Sequence, residues 1–159
     1  MNSLSRNCLT NLSYAKKILD DVDESRFADR PVGLNPPAWI LLHLASAADY
    51  AANLLGGSPV CPANWNEMAD TKKPVSSNLD DYPPPGELKK YLGLSYENVS
   101  QLLERATPEQ LNAPQKLGFY EEELPTVSDI VGFLMVSHFA IHLGQLSAWR
   151  RAIGRPPIF

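Results

Sequence analysis

Proline placement constrains this chain more than any other feature. Its fourteen prolines fall at 31, 36, 37, 59, 62, 74, 83, 84, 85, 108, 114, 125, 156 and 157, leaving proline-free windows at 1–30, 38–58, 86–107 and 126–155. Proline removes a hydrogen-bond donor from a helix interior but suits a first helical turn, so the partition predicts four helices. In the first window Leu4, Cys8, Asn11/Leu12, Ala15, Ile18/Leu19 and Val22 recur at three- and four-residue steps, the pattern of one buried helical face.

Residues at the window edges carry capping chemistry. Asn35 is placed to cap the second helix with Pro36 at its first position, and Gly56-Gly57 to end it. Thr126-Val127-Ser128-Asp129 reads as a capping arrangement that opens the fourth helix, Gly154 closes it, and Thr107-Pro108-Glu109-Gln110 starts a short helical turn. No segment alternates well enough for a sheet; 116–124 has room for a short hairpin. The connection from Gly56 to Pro83 is far longer than an antiparallel turn needs. A link of that length can travel back along the bundle and let helices two and three run parallel. Trp65 and Glu67 within it either lie over a site or belong to a plain crossover.

Composition sets outer bounds. At 159 residues, with 44% hydrophobic and 20% charged side chains, the chain is one globular domain spanning 1–159. A net charge of −4 and scattered cations argue against a nucleic-acid partner. The densest basic run, Arg150, Arg151 and Arg155, reads as solvated side chains at a helix C-terminus. Two cysteines, Cys8 and Cys61, make no disulfide framework, and residues 1–7 lack the pattern of a secretory leader, so a cytoplasmic location is expected. The segment from Ile130 to Ala148 has no Asp, Glu, Lys or Arg but holds Ser137, His138, His142, Gln145 and Ser147. These residues suit a buried central helix, with no membrane partner.

The polar chemistry concentrates in the three histidines. His138 and His142 lie four apart, a rotation of about 40° on a helix, so both rings leave one face a turn apart. Such a pair is either a hydrogen-bonded polar pair or two ligands of one metal ion. Val131, Leu134, His138, His142, Gln145 and Trp149 fall near one line, which turns the rings inward. His43 lies on the stripe Trp39, His43, Ser46/Ala47, Tyr50 and Leu54 of the second helix. It is either a satisfied core histidine or the third ligand of a tris-imidazole site. Ser46 and Ala47 are small enough to leave room there. The Ser46 hydroxyl either bonds back to its own helix or reaches into the pocket. There is no His-Glu-x-x-His and no helical Glu-x-x-His, which excludes zincin-type proteases and carboxylate-bridged di-iron bundles.

These residues also carry a resemblance. Asn35-Pro36-Pro37-Ala38-Trp39-Ile40-Leu41-Leu42-His43-Leu44 with Leu54-Leu55-Gly56-Gly57, and the run from His138-Phe139-Ala140-Ile141-His142-Leu143-Gly144-Gln145 to Arg151, Gly154 and Pro156, resemble the second- and fourth-helix motifs of the DinB/YfiT-like metalloenzymes. The resemblance covers nearly the whole chain and implies an all-α, up-down-down-up four-helix bundle with a long crossover between helices 2 and 3. It implies one divalent ion, zinc or nickel, held by His43, His138 and His142. Characterised members include transferases that use low-molecular-weight thiols and a thiol-dependent isomerase. Dimers are common among them. A homodimer here would use Phe133, Val136, Phe139 and Leu143, unless those residues meet their own neighbouring helices. Gln145 would either reach a metal-bound water or pack between helices, and Tyr50 would either offer a hydroxyl at the pocket wall or pack between helices.

Two functions are therefore expected. One is a metal-dependent enzyme acting on a small-molecule substrate by thiol-dependent S-transfer or hydrolysis, using a metal-activated nucleophile and a low-molecular-weight thiol as co-substrate. Asp49 lies about 120° round the helix from His43, so no evident general base stands beside the histidines, which favours thiol chemistry. The other is a non-catalytic metal-binding or stress-response module on the same fold. In a third reading the histidines are core residues that hold no metal.

Overall fold

In the first helix, α1 (Ser3–Leu19), the three- and four-residue spacing buries Cys8, Leu12, Ala15 and Ile18 as expected. The structure is a computed structural model and describes residues 3–158; Met1 and Asn2, which fall within the first window read above, and Phe159 lie outside the described residues.

Helix α2 (Pro37–Leu54) is buried almost all round. It begins one residue later than Asn35 capping would give. Pro36 takes the cap position with ψ 157° and no side-chain capping bond, because a residue that precedes proline is pushed out of the helical region. The Ala38 amide is satisfied instead by the Phe27 carbonyl at 2.9 Å. At the other end Gly56 adopts φ +73°. The Gly57 amide donates to Ala52 and the Gly56 amide to Asn53, so the pair stops the helix as expected.

The connection after α2 contains one short helix, α3 (Trp65–Met68). Helix α4 (Pro85–Arg105) buries Leu88, Leu92, Tyr96, Val99 and Leu103, and α5 (Pro108–Asn112) opens with a Thr107–Gln110 capping box. Thr126 and Asp129 form the capping box expected before α6 (Val127–Gly132). From there the helix continues through a wide π turn, Phe133–His138, into α7 (Phe139–Ala152). Gly154, at φ +84°, ends it.

Among the described residues the chain is all-helical, without a strand. The hairpin considered for 116–124 does not form. Only an isolated bridge, Pro114 to Thr126, closes the base of this loop. Inside the loop side chains take the backbone groups that a strand ladder would need. Gln115 donates to the Phe119 carbonyl and accepts from the Leu117 amide, while Glu121 accepts from the Gly118 amide.

Several contacts register the helices against one another. A Cβ on Gly57 would fall 2.4 Å from a Leu102 methyl, while Leu41 and Leu92 line one surface groove with Ala15 and Leu19. Asn11 of α1 donates to the Val136 carbonyl at 3.1 Å. Phe139 and Leu143 are buried within the chain, Phe139 against Tyr96 at 4.4 Å, so this side of α7 meets its own neighbours. The stretch Val127–Ala152 is long and apolar enough to cross a membrane by length and composition alone; Ile130, Val131, Leu134, Met135, Phe139 and Leu146 within it form part of the core.

Arg150 departs from the solvated reading of its basic run. It is 3% exposed and donates to the Ile18 carbonyl at 2.9 Å, the Pro156 carbonyl at 2.7 Å and both carboxylate oxygens of Asp21. A planar guanidinium can satisfy several acceptors at once, which lets it be buried where a solvated lysine would not.

Candidate metal centre

Helix α2 and the continuous run from the π turn into α7 approach so that the three imidazoles meet. His43 Nε2 lies 3.0 Å from His138 Nε2, and His142 Nε2 lies 3.1 Å from the same atom. One nitrogen from each ring falls in a group within 4.8 Å. His142 is 6% exposed, while His43 and His138 line a cleft of about 860 Å³. Trp39 stacks on His43 with ring centres 4.8 Å apart and planes 8° apart. That packing fixes the plane of the His43 ring.

The outer ring nitrogens decide what the inner ones present. His142 Nδ1 is 2.9 Å from Gln145 Oε1, an acceptor, so the Nδ1 proton stays there and Nε2 turns a lone pair inward. The His43 ring bonds to the Ala69 backbone, an interaction that favours its protonated form. The ring is therefore the donor, and because Nε2 faces His138, the donor is Nδ1. His43 also presents a lone pair. His138 Nε2 sits between the two and can give its single proton to only one of them. Its own Nδ1 is buried without a hydrogen-bond partner in the protein.

This arrangement leaves surplus lone pairs facing one another, and a cation satisfies them. Nitrogens bound tetrahedrally at zinc distances lie about 3.3 Å apart, close to the 3.0 and 3.1 Å of the two pairs that His138 makes, with all three nitrogens within 4.8 Å. The donor set therefore fits one divalent ion. Burial depresses all three ring pKa values. That of His138 falls to about 3, by burial and then repulsion from His142 and His43, and that of His142 to about 4, by burial and then repulsion from His43. For His43 burial is again the larger cause and lowers the value. The rings stay neutral, the form that binds metal.

The family follows from the same residues. The DinB superfamily model matches residues 10–146. The chain belongs to the DinB superfamily. The match takes in all three histidines and Gln145 and stops short of Trp149 and Arg150. Neither the curated proteins nor the solved structures give a match to this DinB-superfamily chain.

Other residues singled out in the sequence divide. Tyr50 is half-exposed on the cleft wall, so it does not pack between helices. The Gln145 side-chain oxygen lies 2.9 Å from His142 Nδ1 and holds that ring. Ser46 lines the cleft, and its Oγ, buried and without a protein partner, does not bond back to its own helix. Asp49 accepts from the Val60 and Cys61 amides at 3.0 and 2.9 Å, fixing the start of the crossover.

The two crossover residues also part. Trp65 is 2% exposed and packs on Tyr91, away from the cleft, whereas Glu67 lines it. Sequence reasoning missed Asn66, Asp70 and Thr71 beside Glu67, and Phe119 and Tyr120 from the 114–126 loop. The only signal for these was the length of the two connections that carry them.

Proposed function

We propose that this chain is a metal-dependent enzyme whose single divalent ion is held by His43, His138 and His142, and that it carries out thiol-dependent S-transfer or, failing that, hydrolysis. The observation that carries this reading is the convergence of three ring nitrogens, His138 Nε2 lying 3.0 Å from His43 Nε2 and 3.1 Å from His142 Nε2, with Gln145 holding the outer nitrogen of His142. A divalent ion bound there would lower the pKa of a coordinated thiol or water and supply a nucleophile near neutral pH.

The chain's own residues complete the site. Trp39 stacks on His43 and fixes its ring plane, and Gln145 keeps His142 in its ligating tautomer. The nearby carboxylates are engaged: Asp49 by two backbone amides, Glu67 by Lys73 at 3.0 Å and Asp70 by the Lys72 amide. A thiolate attacks without a separate base, so the engaged carboxylates favour S-transfer from a low-molecular-weight thiol. Three imidazoles suit zinc and nickel alike.

An up-down-down-up course for the four long helices belongs to this reading. It is supported by Gly57 lying at Leu102 while Leu41 and Leu92 line one groove, the pairing expected if α2 and α4 run in the same direction. A small-molecule substrate in the cytoplasm completes it.

The first experiment is elemental analysis of the purified protein beside His138→Ala. About one zinc or nickel per chain, lost in the variant, is the expected result; equal metal content in both removes the site. The loaded protein is then tested with a panel of electrophiles and each cellular thiol. Metal-dependent product supports the enzyme. Full occupancy without turnover across the panel leaves a metal-binding module.

A further inference from the structure

The described residues expose only six large hydrophobic side chains, and four of them, Tyr50, Phe119, Tyr120 and Ile141, line the histidine cleft. They come from three separate parts of the chain: α2, the 114–126 loop and α7. Tyr120 packs on Phe133 at 5.6 Å, and Phe133 in turn on His138 at 6.0 Å, so apolar surface runs from the mouth down to the imidazoles. Exposed apolar groups gathered round one concavity mark a binding surface, whereas scattered ones do not.

Ser46 also lines this cleft; the residue is 3% exposed and its Oγ is buried without a protein partner. It stands one helical turn from His43. A buried helical serine ordinarily bonds to the carbonyl one turn back; this one makes no such bond. Neither Lys nor Arg lines the cleft, and its two acidic residues, Glu67 and Asp70, sit together on one wall.

We propose that the cleft takes a small amphipathic substrate with an uncharged aromatic or branched apolar body. The body is clasped by Tyr50, Phe119, Tyr120 and Ile141, and a polar head lies at the histidines within reach of Ser46 Oγ. Among the described lining residues none is Lys or Arg, and Lys73 beside the wall is already paired with Glu67 at 3.0 Å, so the wall leaves no free side-chain cation to select substrates with several carboxylates. This inference rests on the metal reading above and goes beyond it by naming the substrate class.

Hydroxamates test it, because the same metal-binding head can carry different bodies. Zinc-loaded protein is titrated calorimetrically with benzohydroxamate and acetohydroxamate. Benzohydroxamate should bind on the order of 10- to 100-fold more tightly, the gain from burying one ring. Phe119→Ala and Ile141→Ala change exposed side chains that the fold does not need. Each should erase several-fold of that advantage and leave acetohydroxamate affinity as it was. Ser46→Ala should weaken both hydroxamates equally with zinc content unchanged.

Equal affinity of the two hydroxamates for a zinc-loaded protein overturns the apolar body. An unaltered Ser46→Ala profile overturns the role of that hydroxyl. A protein that takes up no zinc and binds neither hydroxamate overturns the metal reading, and this proposal with it.

Discussion

Gln145 follows His142 by three residues, close to one helical turn, and its carbonyl oxygen lies 2.9 Å from the outer nitrogen of that ring. Partners of this kind set ligand basicity and ring orientation, and losing one typically weakens metal binding about 10- to 100-fold. Gln145→Ala is expected to lower zinc affinity by that factor in a competition titration with a chromophoric chelator. Gln145→Glu, which keeps an acceptor in place, should restore most of it. Unchanged affinity in Gln145→Ala would leave the residue a packing role only. The histidines themselves were legible because the chain has only three and two share the four-residue spacing. Their tautomers were not: one depends on the Ala69 backbone, which only the folded crossover brings to His43.

At the scale of elements, capping residues read well because their chemistry is local. Thr107 with Gln110 and Thr126 with Asp129 close their boxes within four residues of sequence. The π turn at Phe133–His138 was not legible, because nothing in a uniform apolar helix says where the spacing widens. A tertiary contact marks the place. Asn11, from the first helix, donates to the Val136 carbonyl inside the turn, supplying a partner for a carbonyl in the irregular segment. His138 is the last residue of that turn, so the turn sets how its ring meets His43. Asn11→Ala should cost about 1 kcal/mol in urea unfolding, the worth of one hydrogen bond. It should also weaken zinc binding, although Asn11 is not among the residues lining the cleft. If stability falls and zinc affinity does not, the turn is a packing feature without bearing on the site.

For the molecule as a whole, the two ends of the chain are joined by Arg150. Its guanidinium ties α7 to the end of α1 through Ile18 and Asp21, and to the tail through Pro156. Asp21 lies 129 residues away in sequence, which is why a local reading of the basic run took Arg150 for a solvated side chain. Arg150→Met keeps the apolar stem but removes the bonds to two carbonyls, and should cost about 2 kcal/mol. The Asp21 partnership gives a pH signature. Its hydrogen bond to Arg150 is the largest cause holding its carboxyl below the ordinary value of 3.8, with the charges of Arg150 and Arg155 adding to it. A carboxyl whose pKa falls on folding contributes stability that is complete above the unfolded value and disappears as pH drops through the folded one. The Asp21→Asn variant should therefore melt below the wild type at pH 6 and 7, and the gap should close as pH falls from about 5 toward 2. Both proteins share the depressed histidines, so titration of those rings cancels in the difference and the closing gap reports Asp21 alone. A gap that stays constant down to pH 2 would mean that Arg150 is held by its two carbonyl bonds and that the ion pair adds nothing.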